Sequence, residues 1–211
     1  SHASRDVTSG TAHNGHPATH QPRPVLAPKA PHQGANGTAA PTKAQVRCAA
    51  ALQRVAMALQ IGDPAPDFTL PDQNGASVQL SSLKGKRVVI YFYPKDATPG
   101  CTKEACNFRD RWDAFKAHDI TVLGISKDNA ASHLRFIAKQ ELPFTLLTDE
   151  EPCAVASSYE SYGLKKFMGR EYMGMMRHTF VVDANGQLEL IYRKVKADSM
   201  ADQILSDLGL S

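Results

Sequence analysis

The sequence has no apolar run approaching the ~20 residues that a membrane-spanning helix needs, which excludes a helical membrane protein. It lacks a Gly-rich phosphate loop, so it offers no footing for a nucleotide site. Its four cysteines (Cys48, Cys101, Cys106, Cys153) are too few and too irregularly spaced for a disulfide scaffold. The one Cys-x4-Cys pair has no second ligand pair at zinc-like spacing, so no metal is expected. These cysteines suit a reducing compartment, where thiols do chemistry.

Acidic residues are nearly missing from the first sixty positions, which hold six Lys or Arg and only Asp6, a net +5. The remainder holds 18 basic and 20 acidic residues, a net −2, so the chain's +3 belongs to its N-terminal stretch. The rest carries no nucleic-acid footprint. Large apolar residues are scarce in residues 1–42, which are rich in Pro, Ala, Gly, Thr and His. Such a stretch cannot bury enough surface to offset its ordering entropy and reads as a disordered extension. Without an early apolar core it is not a secretory signal. It reads as a linker or upstream-translated stretch, with an organelle transit peptide as the alternative. Its five histidines are too irregular to read as a metal tract. Residues 43–60 place Val46, Leu52, Val55, Ala56 and Leu59 at spacing compatible with an amphipathic helix, and Cys48 lies in it as a passive thiol.

From Ile61 to Ser211 the chain is long enough for one core. Phe68–Leu70 and Val78–Leu80 flank the turn signal Asp72-Gln73-Asn74-Gly75 and predict an N-terminal β-hairpin. Arg87–Tyr93 is a near-continuous apolar run, as in a strand buried on both faces. Strands follow at Ile120–Ser126, Thr145–Thr148, Thr179–Val182 and Leu188–Arg193. Helices alternate with them at about 129–140, near 153–162 and at 199–208, and a long loop precedes Arg177. This order is α/β, with antiparallel strands added at the end.

The most informative stretch is YFYPKDATPGCTKEACNFRD, Tyr91 to Asp110. A strand stops at Pro94 and a helix starts near Thr98, whose hydroxyl is placed to cap it. Pro99 fits the first helical position, and Gly100 allows close backbone approach. Cys101 then sits in the first turn, at the positive end of the helix dipole, a position that favours the thiolate and can hold an oxyanion. Ala105, Phe108, Trp112 and Phe115 recur at helical spacing and predict the buried face.

Pro94, Thr98 and Cys101 match the Pro-x-x-x-Thr/Ser-x-x-Cys signature, and the chain resembles the peroxiredoxins over residues 61–211. With Cys106 five residues on, it is similar to the peroxiredoxin Q / bacterioferritin comigratory protein branch. The resemblance implies a thioredoxin-like fold, a central mixed β-sheet flanked by helices. It implies a cofactor-free thiol peroxidase acting on hydrogen peroxide and organic hydroperoxides, with thioredoxin or a similar protein as reductant. It also implies a monomer in the cytoplasm, or in the plastid stroma if the extension is a transit peptide. Arg177, before His178-Thr179-Phe180, matches the family's arginine beside the thiolate, where its planar fork polarises the peroxide. Thr98 contacts sulfur and peroxide, and Pro94 shields the thiolate from water. Glu104, one turn after Cys101, orients an arginine or is a surface residue. Alternation along the strand turns His178 to the opposite face.

Spacing adds a constraint on Cys106. Five residues along an α-helix separate two Cα atoms by roughly 8–9 Å, beyond the ~4.4–6.8 Å of a disulfide. The first turns must unwind before Cys101 and Cys106 can bond. In the expected cycle Cys101 becomes a sulfenic acid, Cys106 attacks it, and a dithiol reduces the resulting disulfide. Cys153, near a helix start, is the alternative resolving residue, and Cys48 a further one. The alternative functions are a redox sensor or chaperone without turnover, and a one-cysteine peroxidase resolved by a small thiol. Met168, Met173, Met175 and Met176 cluster before Arg177 and suggest an apolar rim, with ordinary loop packing as the alternative.

Overall fold

The computed structural model describes residues 58–210, Met168 excepted. The expected extension over 1–42 and most of the helix expected over 43–60, with Cys48, lie outside the described residues. Residues 58–60, which are described, are not helical.

Strands β1 (Thr69–Pro71) and β2 (Ser77–Gln79) form the expected antiparallel entrance hairpin, with Leu70 opposite Val78. A 3-10 turn over Leu80–Leu83 leads to β3 (Arg87–Phe92). Helix α1 (Pro99–Asp110) and the short α2 (Trp112–Ala117) precede β4 (Ile120–Ser126). Helix α3 (Ala130–Gln140) starts where Asn129 accepts the Ser132 amide at 3.0 Å, an Asx cap, and leads to β5 (Thr145–Thr148). Helix α4 (Ala154–Ser158) is shorter than the spacing predicts. Strands β8 (Thr179–Val182) and β9 (Leu188–Tyr192), then α5 (Met200–Asp207), complete the chain.

The expected loop before Arg177 is instead a second hairpin, β6 (Tyr162–Phe167) and β7 (Arg170–Met175), with Leu164 opposite Met173. Both of those side chains are exposed, as is Tyr172. A ribbon with so little burial does not write an alternating apolar pattern into its sequence.

The main sheet has the order β5-β4-β3-β8-β9. Strands β3, β4 and β5 run parallel, and β8 and β9 join antiparallel. This is the mixed, helix-flanked sheet expected of a thioredoxin-like fold. Strand β3 is central and buried on both faces, as its continuous apolar run requires. Val89, Tyr91 and Tyr93 face one core, with Cys101, Ala105 and Phe108 of α1, Phe115 of α2, Phe136 of α3 and Ile204 of α5. Val88, Ile90 and Phe92 face the other, with Phe68, Tyr159 and Phe180. Trp112 departs from the expected buried face and is only partly buried. The backbone breaks at Arg111 (φ −105°, ψ 10°), which resets the helical phase between α1 and α2. No described helix is long and apolar enough to cross a membrane.

Candidate active site

Pro94 follows the last pairing of β3 and has no N–H with which to extend a ladder. The chain turns through residues 95–98 and enters α1 at Pro99. Thr98 holds the cap position with extended backbone (φ −79°, ψ 150°), and its carbonyl accepts the Thr102 amide at 2.8 Å. Its side chain does not cap the helix, contrary to the expectation. The hydroxyl donates to the Lys95 carbonyl at 3.1 Å, a local turn that competes with capping.

Cys101 is the third residue of α1 and is 1% exposed. Arg177 reaches it across 76 positions from the segment between β7 and β8, and its Nη2 donates to the Cys101 Sγ at 3.3 Å. Nη1 donates to the Gly100 carbonyl at 3.4 Å and to the Glu104 carboxylate. Gly100 permits this approach: a Cβ there would lie 3.1 Å from Arg177 Nη2. Glu104 is therefore no surface residue. It is fully buried, and its Oε1 has no partner among the described residues. Burial pushes its carboxyl up to about 7, against the lowering effect of the Arg177 charge and hydrogen bond. Burial also works against the Arg177 charge, but Glu104 and the Cys101 sulfur outweigh it and hold that guanidinium above its ordinary value. A positive group thus stands beside a sulfur at a helix N-terminus, where negative charge is favoured.

Cys101, Glu104 and Arg177 are in direct contact, and Pro94 and Thr98 lie half-buried on the loop leading into α1. Cys106 shares α1 with Cys101, is half-buried and unbonded, and its Sγ lies 3.6 Å from Gln140 Oε1 of α3. Cys153 sits at the start of α4, buried in the core on the other side of the sheet from Cys101. Burial, then Asp149 and Glu151, push its thiol up. His178 does point to the opposite face, where its Nδ1 lies 3.2 Å from Ser161 Oγ. Among the described residues the methionines of that cluster do not share one environment. Met175 is core, Met173 is exposed, Met176 is half-buried, and Met168 lies outside the described residues. A cleft of about 280 Å³ lined by Pro64, Leu80, Lys84, Lys86 and Asn185 holds none of the predicted site residues. Among the described residues no group of three or more His, Cys, Asp or Glu side chains is arranged to hold a metal.

The model of the AhpC/TSA family matches residues 61–191. Peroxiredoxin Bcp of Bacillus subtilis is 46% identical over 156 residues, covering 72% of this chain and 99% of that protein. Peroxiredoxin Bcp of Escherichia coli is 44% identical over 148 residues, covering 70% and 94%. A structure of the Xanthomonas campestris bacterioferritin comigratory protein, described for its alkyl peroxide reduction activity, superposes with a TM-score of 0.65 at 34% identity, covering 72% of this chain and 96% of that one. These relatives are bacterial, which lends the plastid alternative no support. The chain belongs to the AhpC/TSA family and is a peroxiredoxin of the Bcp/PrxQ kind, a thiol-dependent peroxidase that reduces hydroperoxides.

Proposed function

We propose that Cys101 is the peroxidatic residue and Cys106 the resolving one, in a two-cysteine cycle within one chain. The observation that carries this reading is the Arg177 guanidinium 3.3 Å from the Cys101 sulfur, at the first turn of α1. The thiolate attacks one peroxide oxygen. An S–O bond forms, the O–O bond breaks, and the departing oxygen leaves as water or an alcohol after taking a proton. Arg177 supports the charge that develops between the two oxygens. Pro94 and Thr98 complete the wall around the sulfur. The first turns of α1 then unwind. Cys106 attacks the Cys101 sulfenic sulfur, expels water and forms the disulfide. A thioredoxin-like dithiol protein reduces it, and the chain works as a cytoplasmic monomer. Hydrogen peroxide and organic hydroperoxides are both substrates; the alkyl peroxide activity of the Xanthomonas relative supports the second class.

The test is hydrogen-peroxide-dependent NADPH consumption through thioredoxin and its reductase, for wild type, Cys101→Ser and Cys106→Ser. Turnover abolished by the first substitution and severely reduced by the second is the expected result. Undiminished turnover in Cys106→Ser would leave a one-cysteine peroxidase resolved from outside. A wild type oxidised by one equivalent of peroxide yet unable to turn over would point to a sensor or to another reductant.

A further inference from the structure

The loop that presents Cys101 is tied from behind by a buried polar cluster. Asp96 lies two residues after Pro94 and two before Thr98, and it is only 6% exposed. Its carboxylate accepts from the Tyr93 hydroxyl at 2.7 Å and faces His133 Nδ1 at 3.0 and 3.2 Å. A carboxylate only accepts, so Nδ1 carries the proton. Its backbone amide donates to Asp128 Oδ2 at 2.8 Å, and that oxygen also accepts from Ser126 Oγ at 2.9 Å. Tyr93 and His133 are fully buried. Burial works to raise the Asp96 carboxyl, yet the bonds from His133 and Tyr93 hold it below the usual carboxylate range.

Three features make this more than an ordinary core pair. The next residue, Ala97, adopts a left-handed backbone (φ 56°) that a non-glycine residue keeps only when its surroundings over-determine it. A buried hydrogen bond to a carboxylate is directional and holds a geometry. His133 also stands on α3, whose far end packs Gln140 against Cys106 and Arg109. One helix therefore holds the loop before Cys101 at its start and the helix carrying both thiols at its end.

We propose that Asp96 and His133 are positioning residues for the peroxide reaction. They fix the 94–98 loop so that Pro94 and Thr98 stand where the incoming peroxide needs them. The inference rests on Cys101 being the peroxidatic residue. Neither side chain touches the substrate; each acts through the loop.

The experiment is a single-turnover measurement of the loss of one equivalent of hydrogen peroxide, with full-length wild type, His133→Leu, His133→Asn and Asp96→Asn. The rate of Cys101 alkylation by iodoacetamide is measured in parallel, since alkylation uses the thiol but not a peroxide-shaped site. His133→Leu is expected to slow the peroxide reaction at least tenfold and to change alkylation less than about twofold. His133→Asn keeps a donor near the place of Nδ1 and should recover to within about threefold of wild type. Asp96→Asn, nearly isosteric, should show the same split, and it decides the matter alone if His133→Leu does not fold by circular dichroism. A wild-type peroxide rate in both His133→Leu and Asp96→Asn overturns the inference. So do equal losses in the peroxide and alkylation rates, or a His133→Asn variant as slow as His133→Leu. A wild type whose Cys101 does not consume peroxide overturns the peroxidatic assignment as well, so the two failures are told apart.

Discussion

The buried carboxylate of Glu104 and the guanidinium of Arg177 form an ion pair one helical turn from Cys101, and the same guanidinium reaches the sulfur. Glu104 is thus placed to orient Arg177 while itself titrating near neutrality, raised from 4.5 to about 7 by burial. A carboxyl raised in the fold binds its proton more tightly there than in the unfolded chain. Its contribution to stability is therefore fully present below about 4.5 and is lost as pH rises towards 7. Denaturant unfolding should show wild type losing stability relative to Glu104→Gln across that window, with no further divergence above it. The peroxide rate of wild type should gain a component that rises through pH 7, as ionised Glu104 fixes Arg177. Glu104→Gln should lack that component and react roughly ten- to a hundredfold more slowly at pH 8. Parallel pH profiles for the two proteins would contradict this role.

Gly100 should separate stability from activity. Its backbone is not in the left-handed region, so alanine fits there without backbone strain. Alanine is the better helix former by up to about 1 kcal/mol. Yet the added Cβ would stand 3.1 Å from Arg177 Nη2, so the guanidinium must move a few tenths of an ångström from the sulfur. Gly100→Ala is expected to keep or raise the melting temperature while slowing Cys101 oxidation roughly tenfold. An unchanged oxidation rate would show that the close approach is dispensable.

The legible parts of the fold were those whose burial follows from local pattern. Strand β3 reads as a central strand because its apolar run is continuous, and the helix expected over about 129–140 is α3. The hairpin β6–β7 was not legible: its exposed Leu164, Tyr172 and Met173 carry no clean alternation, and Gly163 faces Gly174 across it. In the site, Pro94, Thr98, Cys101 and Arg177 stand in a motif. Glu104 is recognisable only as one turn from Cys101, since its burial depends on an arginine 73 positions away. The Asp96–His133 contact spans 37 positions and joins a loop to a helix, a pairing that no local period encodes.

Cys153 tests whether the partner of Cys101 is chosen by geometry. It is a thiol with no exposure, buried with Phe92 and Tyr159 across the sheet from Cys101. Reaching Cys101 would require the sheet itself to open. Cys153→Ala should therefore cost about 1 kcal/mol of stability, as a small buried truncation does. Peptide mapping after one equivalent of peroxide should still find the Cys101–Cys106 disulfide. Loss of that disulfide in Cys153→Ala, with the protein folded, would reassign the resolving thiol.

The unwinding that the proposed Cys101–Cys106 bond would demand has a natural stopping point at Asn107. Its Nδ2 donates to Asp202 at 2.8 Å, and its Oδ1 accepts the Ala201 amide at 2.7 Å, tying α1 to α5. Arg109 binds the Gln140 carbonyl at 2.7 Å and Arg111 binds Asp202, so the end of α1 is held on two sides. Upstream, the hold on the helix comes from Arg177, through Gly100 and Glu104. In the proposed cycle, oxidation of Cys101 would alter the sulfur that Arg177 binds and so loosen the end that has to open. Cα chemical shifts of the oxidised protein should lose helical character through Cys106 and keep it from Phe108 onward, a local opening rather than a global one. Asn107→Ala should let the loss extend towards Asp110 and lower global stability by about 1 kcal/mol. Helical shifts that persist at Cys101 and Cys106 in the disulfide form would contradict the unwinding itself. Loss through Asp110 already in wild type would contradict the anchor at Asn107.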